Sequence, residues 1–233
     1  MTALSLIFPC YNEVDRLPAT LAAYLAHLPD DVEVLVVDDG STDDTAAVAD
    51  ALAAGDARVR VLRTQPNHGK GFAVRTGMLA AEGELVVFTD ADGAYGPGDV
   101  DRVVRALAAA PVAIGRRGEE AATPLVRRVA SRVFNQALRL VSDLPFADTQ
   151  CGLKGFRRQA ARELFSRSRL NGFAFDVEVL LLAQRLGLAV AEVPVRAQVR
   201  RGSKVRVLLD GRRMLAEVWA IRRGLSPARA AWR

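Results

Sequence analysis

Val32-Glu33-Val34-Leu35-Val36-Val37-Asp38-Asp39-Gly40 is an apolar run that ends abruptly in two acids and a glycine. A short β-branched run bounded by a turn signal reads as a buried strand whose C-terminal end opens into a loop. Upstream, Leu4 to Phe8 repeats the pattern and stops at Pro9. Between the two runs Leu17, Leu21, Leu25 and Leu28 recur at helical spacing behind Pro18, a residue tolerated in a first helical turn. Downstream, Ser41 and Asp44 read as a capping box for a helix from about Thr42 to Ala54. A strand at Val59 to Leu62, a helix at Phe72 to Ala81 and a strand at Leu85 to Phe88 follow, the last delivering Asp90 and Asp92 at its C-terminal end. Repeated βα units predict an α/β fold with a Rossmann-like, mainly parallel sheet and helices on both faces. Ligands of such sheets bind beyond the carboxyl ends of the strands, where all these acids fall.

The second half is less regular. Helices are expected at Asp99 to Ala109, Gln159 to Phe165 and Val177 to Leu186, with strands at Val112 to Ile114 and Ala189 to Val195. A long helical pattern runs through Val126, Val129, Val133, Ala137 and Leu140, and a Gly-rich segment spans Cys151 to Phe156. Residues 1–204 read as one catalytic domain and 205–233 as a basic amphipathic helix and tail. The helix, Val205 to Gly224, gathers Val207, Met214, Val218 and Ile221 on one face. It is read either as an interfacial element on anionic lipid or as a helix packed on the domain with its arginines solvated.

At 233 residues, half apolar and a quarter charged, the chain has the composition of a folded protein. No apolar run reaches the roughly 18 to 20 residues of a membrane span, and the N-terminal residues lack the pattern of a signal peptide. Two cysteines, Cys10 and Cys151, far apart in sequence, read as reduced thiols in a cytosolic protein. The net charge of +5 is uneven: residues 196–233 hold eleven Lys/Arg against two Asp/Glu, a local +9, leaving −4 for the other 195 residues. A basic tail on an acidic body points to phosphates, of a substrate or of an anionic membrane surface. Without interleaved aromatic residues to stack bases, nucleic acid is not expected as a partner.

Asp90-Ala91-Asp92 places two carboxylates within reach of one cation, and such hard oxygen ligands suit Mg²⁺ or Mn²⁺ shared with a diphosphate; alone, the same pattern also occurs in solvated turns. Asp38 and Asp39 are able to accept hydrogen bonds from a base imino group and a ribose hydroxyl, or to cap a helix. Asn67-His68-Gly69-Lys70-Gly71 sits between a strand and a helix, where a Gly-rich loop can cradle phosphate.

The ordered set Phe8-Pro9-Cys10-Tyr11-Asn12-Glu13, Val37-Asp38-Asp39-Gly40-Ser41-Thr42-Asp43, Asn67-His68-Gly69-Lys70-Gly71 and Thr89-Asp90-Ala91-Asp92-Gly93 resembles the motifs of inverting family 2 glycosyltransferases, which have a GT-A type fold. Asp148 to Lys154, Phe173 to Glu178, Glu192 to Val195 and Gly202 to Val205 extend the resemblance to the dolichyl-phosphate glucosyltransferase and dolichyl-phosphate mannose synthase groups. Ala94 and Gln198 depart from the mannose pattern, leaving the glucosyltransferase pattern ahead.

The resemblance implies transfer of a hexose, from UDP-glucose or GDP-mannose, to a polyprenyl or dolichyl phosphate with inversion, at the cytoplasmic face of a membrane. It implies that Pro9, Tyr11, Glu13, Val37, Asp38 and Asp39 line the nucleoside pocket. Asp90, Ala91 and Asp92 meet the donor phosphates and the metal, with Lys70 beside the donor. Arg117 and Lys204 face phosphates, Arg128 and Arg132 the acceptor phosphate, and Gln150 to Lys154 border the acceptor site. A phosphate acceptor is largely ionised at neutral pH and needs positioning more than a general base. The alternative, a soluble transferase acting on a hydroxyl, requires a base, for which Asp148 and Asp176 are the candidates, each equally readable as a helix cap. A further alternative is a nucleotide-sugar-binding protein without turnover.

Overall fold

The computed structural model describes residues 2–118, 136, 138, 141–198 and 215–221. The first half is a run of βα units: β1 (Leu4–Cys10), α1 (Leu17–Leu25), β2 (Val32–Asp39), α2 (Thr45–Gly55), β3 (Val59–Thr64), α3 (Lys70–Ala80), β4 (Leu85–Thr89) and α4 (Pro97–Ala106). The second half adds β5 (Val112–Arg117), β6 (Leu153–Arg157), α5 (Arg158–Arg167), α6 (Phe175–Arg185) and β7 (Val190–Val195). They form one seven-stranded sheet in the order β3-β2-β1-β4-β6-β5-β7. The neighbours of β1, β2 and β3 are parallel, as are β5 and β7, while β6 is antiparallel to both β4 and β5. The expected α/β architecture with a mainly parallel sheet is therefore present, with one reversed strand inserted.

The strands are apolar on both sides because both faces are covered. Ile7, Leu35, Val37, Phe88 and Ile114 pack under α3, α5 and α6. Their alternates Leu6, Phe8, Val34, Val36 and Val87 pack under α1, α2 and α4. Each fully buried Leu, Val or Phe contributes about 1.5–3 kcal/mol, and the two layers hold the strand ends rigid. Cys10 and Cys151 are both buried thiols outside any disulfide, as two distant cysteines predict.

One reading of the sequence is corrected. The helix placed at Thr42 begins at Thr45, and no capping box forms at Ser41 and Asp44. Ser41 and Thr42 are occupied elsewhere: Ser41 Oγ accepts from the Asn12 amide at 2.9 Å, and the Thr42 amide donates to Asn12 Oδ1 at 2.8 Å. The Gly-rich segment at 151–156 holds β6, whose partners lie more than thirty residues away in sequence. In the C-terminal stretch, 215–221 is helical and inserts Val218 and Ile221 into the core beside α6. There Arg185 Nη2 donates to the Ile221 carbonyl at 2.8 Å. Within that stretch the helix is packed on the domain; Val207, Met214 and the arginines flanking it lie outside the described residues, as do most of 126–140 with Arg128 and Arg132.

Candidate active site

β4 lies between β1 and β6, so its C-terminal end opens at the middle of the sheet. The antiparallel register sets Thr89 opposite Leu153 and Phe88 opposite Lys154. The next residue out on each side therefore meets: Gly152 sits against Asp90. A Cβ at Gly152 would lie 2.0 Å from Asp90 Oδ2, so only glycine leaves room for the carboxylate in this position. On the other side, Lys70 Nζ stands 2.6 Å from Asp90 Oδ1. Asp92 Oδ1 accepts from the Ala94 amide at 2.9 Å, and Ala91 is buried. The loop is pinned by Tyr95: its carbonyl accepts from Tyr24 Oη at 3.0 Å, and its hydroxyl oxygen accepts from the Gly152 amide at 3.2 Å and from Cys151 Sγ at 3.3 Å. Burial pushes the Tyr95 phenol far up, so it stays a neutral hydroxyl.

At the end of β2 both acids are buried and engaged. Asp38 accepts from the Ser41 hydroxyl and amide. Asp39, 2 % exposed, accepts from Thr64 Oγ1 at 2.7 Å and from the amides of His68 and Gly69 at 3.0 and 2.6 Å. Three of the roughly four lone-pair positions of this carboxylate are thus used to hold the β3–α3 loop. Gly40 permits the approach, having φ of +70° and a Cβ position 2.8 Å from the Asn67 amide nitrogen. Pro9 is partly buried, Tyr11 is 38 % exposed and Glu13 pairs with Arg16 at 2.6 Å. Val37 is fully buried in the core beneath α3, so its side chain lines no pocket, which corrects that placement.

Two ion pairs complete the edge. Arg117, at the end of β5, holds Asp148 through Nε to Oδ2 at 2.7 Å and Nη2 to Oδ1 at 2.9 Å. Burial alone would raise the Asp148 pKa, but the hydrogen bonds and charge of Arg117, with a contribution from Lys154, hold it below the ordinary carboxylate value. Lys154 and Asp176 are 1 % and 4 % exposed and pair directly, while Lys154 Nζ also donates to the Cys151 carbonyl at 2.6 Å and stands over the Phe88 ring. Burial pushes Asp176 up, against the pull of Lys154 and Lys70. Lys70 in turn feels Asp90, Asp176 and Asp92. Asp92, Asp90, Lys70, Asp176, Lys154, Asp148 and Arg117 are therefore one electrostatically continuous cluster.

A family model described as "Glycosyl transferase family 2" matches residues 5–165, spanning β1 to α5. The chain belongs to glycosyl transferase family 2. Among curated relatives of this glycosyltransferase, the dolichyl-phosphate beta-glucosyltransferase of Drosophila melanogaster is 41 % identical over 224 residues, 87 % of this chain and 69 % of that protein. The enzyme of the same name from Saccharomyces cerevisiae is 30 % identical, covering 94 % and 74 %. Among solved structures, Mycobacterium tuberculosis glucosyl-3-phosphoglycerate synthase in complex with Mn²⁺, UDP-glucose and phosphoglyceric acid superposes with a TM-score of 0.73 at 23 % identity. The match covers 97 % of this chain and 81 % of that one, a likeness of fold.

Of the residues singled out in this family 2 glycosyltransferase, the fold brings Asp38, Asp39, Lys70, Asp90, Asp92, Arg117, Asp148 and Asp176 to one sheet edge; Lys204 lies outside the described residues. Neither Asp148 nor Asp176 caps a helix: each is taken up by a cation. The sequence gives no role to Tyr95, and it offers Gly152 and Lys154 only as part of the Gln150 to Lys154 stretch beside the acceptor site, without their contacts to Asp90 and Asp176. A charged residue within Leu153-Lys154-Gly155-Phe156 was the available signal, because a lysine in a buried strand requires an acidic partner. Glu178 closes the Phe173 to Glu178 motif. It is buried and accepts from Ser168 Oγ and the amides of Arg169 and Leu170, fixing the turn before α6.

Proposed function

We propose that this glycosyltransferase moves glucose from UDP-glucose to a dolichyl or other polyprenyl phosphate, with inversion to a β-linked product. The observation that carries this reading is the 41 % identity, along 87 % of the chain, to an enzyme named dolichyl-phosphate beta-glucosyltransferase. The geometry supports a phosphate acceptor. The two carboxylates that would serve a hydroxyl acceptor as base are both held in ion pairs, Asp148 by Arg117 and Asp176 by Lys154. A phosphate, ionised in advance, needs no such base.

Asp90 and Asp92 fit a divalent metal. Among the described residues no group of three or more His, Cys, Asp or Glu gathers to form an all-protein metal site. Two carboxylates with the remaining positions left to phosphate oxygens and water is the arrangement that suits Mg²⁺ or Mn²⁺. The missing Cβ of Gly152 keeps the space that Asp90 needs. When bound, the metal would neutralise charge on the departing nucleoside diphosphate. The residues Pro9, Tyr11, Glu13, Asp38 and Asp39 flank the nucleoside. The Asp39 contacts to His68 and Gly69 set the loop from which Lys70 reaches the diphosphate. Arg117 supplies a cation that Asp148 keeps oriented, and its outer face stays open to an acceptor phosphate, since 40 % of the side chain remains exposed.

Among the described residues no helix is long and apolar enough to cross a membrane. Residues 1–204 form the catalytic domain in this reading. The basic stretch through 205–233 provides the charge for peripheral attachment to an anionic membrane surface at its cytoplasmic face.

The test is a transfer assay with Mg²⁺ or Mn²⁺, offering UDP-glucose and GDP-mannose separately to a short polyprenyl phosphate and following sugar into the lipid fraction. Metal-dependent incorporation from UDP-glucose is expected. Incorporation from GDP-mannose alone refutes the donor, and UDP-glucose turnover without lipid product refutes the acceptor.

A further inference from the structure

We propose that Lys70 is an exchangeable internal cation: its ammonium holds the cation position on Asp90 until a divalent metal takes it, and then passes to the diphosphate of the donor. The proposal rests on the metal-dependent reading above. Lys70 Nζ is 2.6 Å from Asp90 Oδ1, in direct contact with one of the two carboxylates of the site. A divalent ion and an ammonium on the same carboxylate oxygen repel, so one of them must leave or the carboxylate must turn. The carboxylate has no retreat on its far side, where Gly152 lies against Oδ2 so closely that even a methyl group has no space.

The backbone of Lys70 is equally fixed. Gly69 N–H is held by Asp39, and Gly71 N–H donates to the Asn171 carbonyl at 2.7 Å. A Cβ at Gly71 would meet the Leu170 carbonyl oxygen at 2.5 Å, so α3 is seated tightly at its first turn. What remains free is the four-carbon stem of the lysine, 21 % exposed, and swinging it is the cheap motion. The charges agree. Two carboxylates with one ammonium carry a formal −1, which a metal converts to +1, complementary to the two negative charges of a bound diphosphate. Lys70 keeps the carboxylate pair from repelling itself when the metal is absent, and it supplies the third positive charge to the donor when the metal is present.

The test uses Mn²⁺ alone with the full chain and no nucleotide, reading free Mn²⁺ by electron paramagnetic resonance. Lys70→Met is expected to bind Mn²⁺ about tenfold more tightly than the unaltered protein, because its competitor is gone. The gain should vanish in Lys70→Met/Asp90→Asn. In transfer assays with UDP-glucose, Lys70→Met should show a raised KM for the donor even at saturating metal. Unchanged or weaker Mn²⁺ binding by Lys70→Met overturns the proposal. If that unchanged binding is still lost in Asp92→Ala, the metal reading survives; if no binding depends on Asp90 or Asp92 in any of the proteins, both fall. A second measurement needs no variant: acetylation of Lys70 by acetic anhydride, followed by peptide mass spectrometry. MgCl₂ alone should raise its labelling and added UDP should lower it again, whereas labelling indifferent to MgCl₂ overturns the exchange.

Discussion

Gly152→Ala separates the folding role of a residue from its role at the site. The added Cβ would sit 2.0 Å from Asp90 Oδ2, 2.5 Å from Cγ and 2.8 Å from Oδ1. Ordinary contact begins near 3.5 Å, so the carboxylate must retreat by about 1.5 Å. The obstacle is the end of a side chain, and turning it off its rotamer costs about 0.5–1.5 kcal/mol. Losing the pair with Lys70, whose two side chains are 21 % and 28 % exposed, adds about 1 kcal/mol. Stability therefore falls by no more than about 2.5 kcal/mol, whereas a displacement of more than about 1 Å at a reacting centre costs on the order of a hundredfold in rate. The assays are urea denaturation and transfer from UDP-glucose over a Mn²⁺ titration. An unfolding midpoint lowered by about 1 M urea or less, with transfer reduced roughly a hundredfold and a higher metal requirement, is expected. Gly98→Ala is the control: nothing lies within 4 Å of its Cβ position, and it should leave transfer unchanged while gaining up to about 1 kcal/mol of stability. Full-rate transfer by Gly152→Ala with unaltered metal dependence would refute the reasoning.

Asp92→Ala should lower transfer at least a hundredfold while leaving the unfolding midpoint close to that of the parent, because a partly exposed carboxylate is removed without touching the core. Chelation should abolish transfer, and either Mg²⁺ or Mn²⁺ should restore it; turnover persisting in chelator would count against the metal. Asp148→Asn should cost about 1–2 kcal/mol at neutral pH, allowing for the exposure of Arg117. Since the folded pKa of Asp148 lies below its ordinary 3.8, its contribution is complete above that pH and is lost as pH falls through the lower folded value. The stability gap between parent and variant should thus be flat from pH 7 to about 4 and close below it. Lys154→Met should cost about 3–5 kcal/mol by stranding a buried Asp176, and Lys154→Met/Asp176→Leu should recover most of it in a urea double-mutant cycle. A single variant as stable as the parent would show that the pair is not needed.

The sequence makes the βα units legible because each is local. Leu4 to Phe8 and Val32 to Val37 end where the structure ends β1 and β2 to within two residues. The acids at Asp38, Asp39, Asp90 and Asp92 follow directly from those endings. What the sequence hides is pairing at a distance. Nothing near Cys151 announces that the strand after it runs backwards beside β4, and so nothing announces that Gly152 will face Asp90. Asp148 and Asp176 invite a base-or-cap reading for the same reason: their partners, Arg117 and Lys154, are 31 and 22 residues away. α2 starts later than the local pattern predicts because Ser41 and Thr42 are claimed by Asn12, 29 and 30 residues upstream, in place of their own helix.

The reversed strand also bears on how the molecule matures. β1 to β4 are built from neighbouring βα units whose partners are close along the chain, and loop closure between them costs little entropy. β6 must return across more than sixty residues to lie on β4, with Leu153 opposite Thr89. Until it does, the open edge of β4 is unpaired, and neither the Tyr95 clamp nor the Gly152 wall around Asp90 exists. During refolding, regular secondary structure should accordingly appear ahead of catalytic competence, and the lag between them measures the admission of one strand.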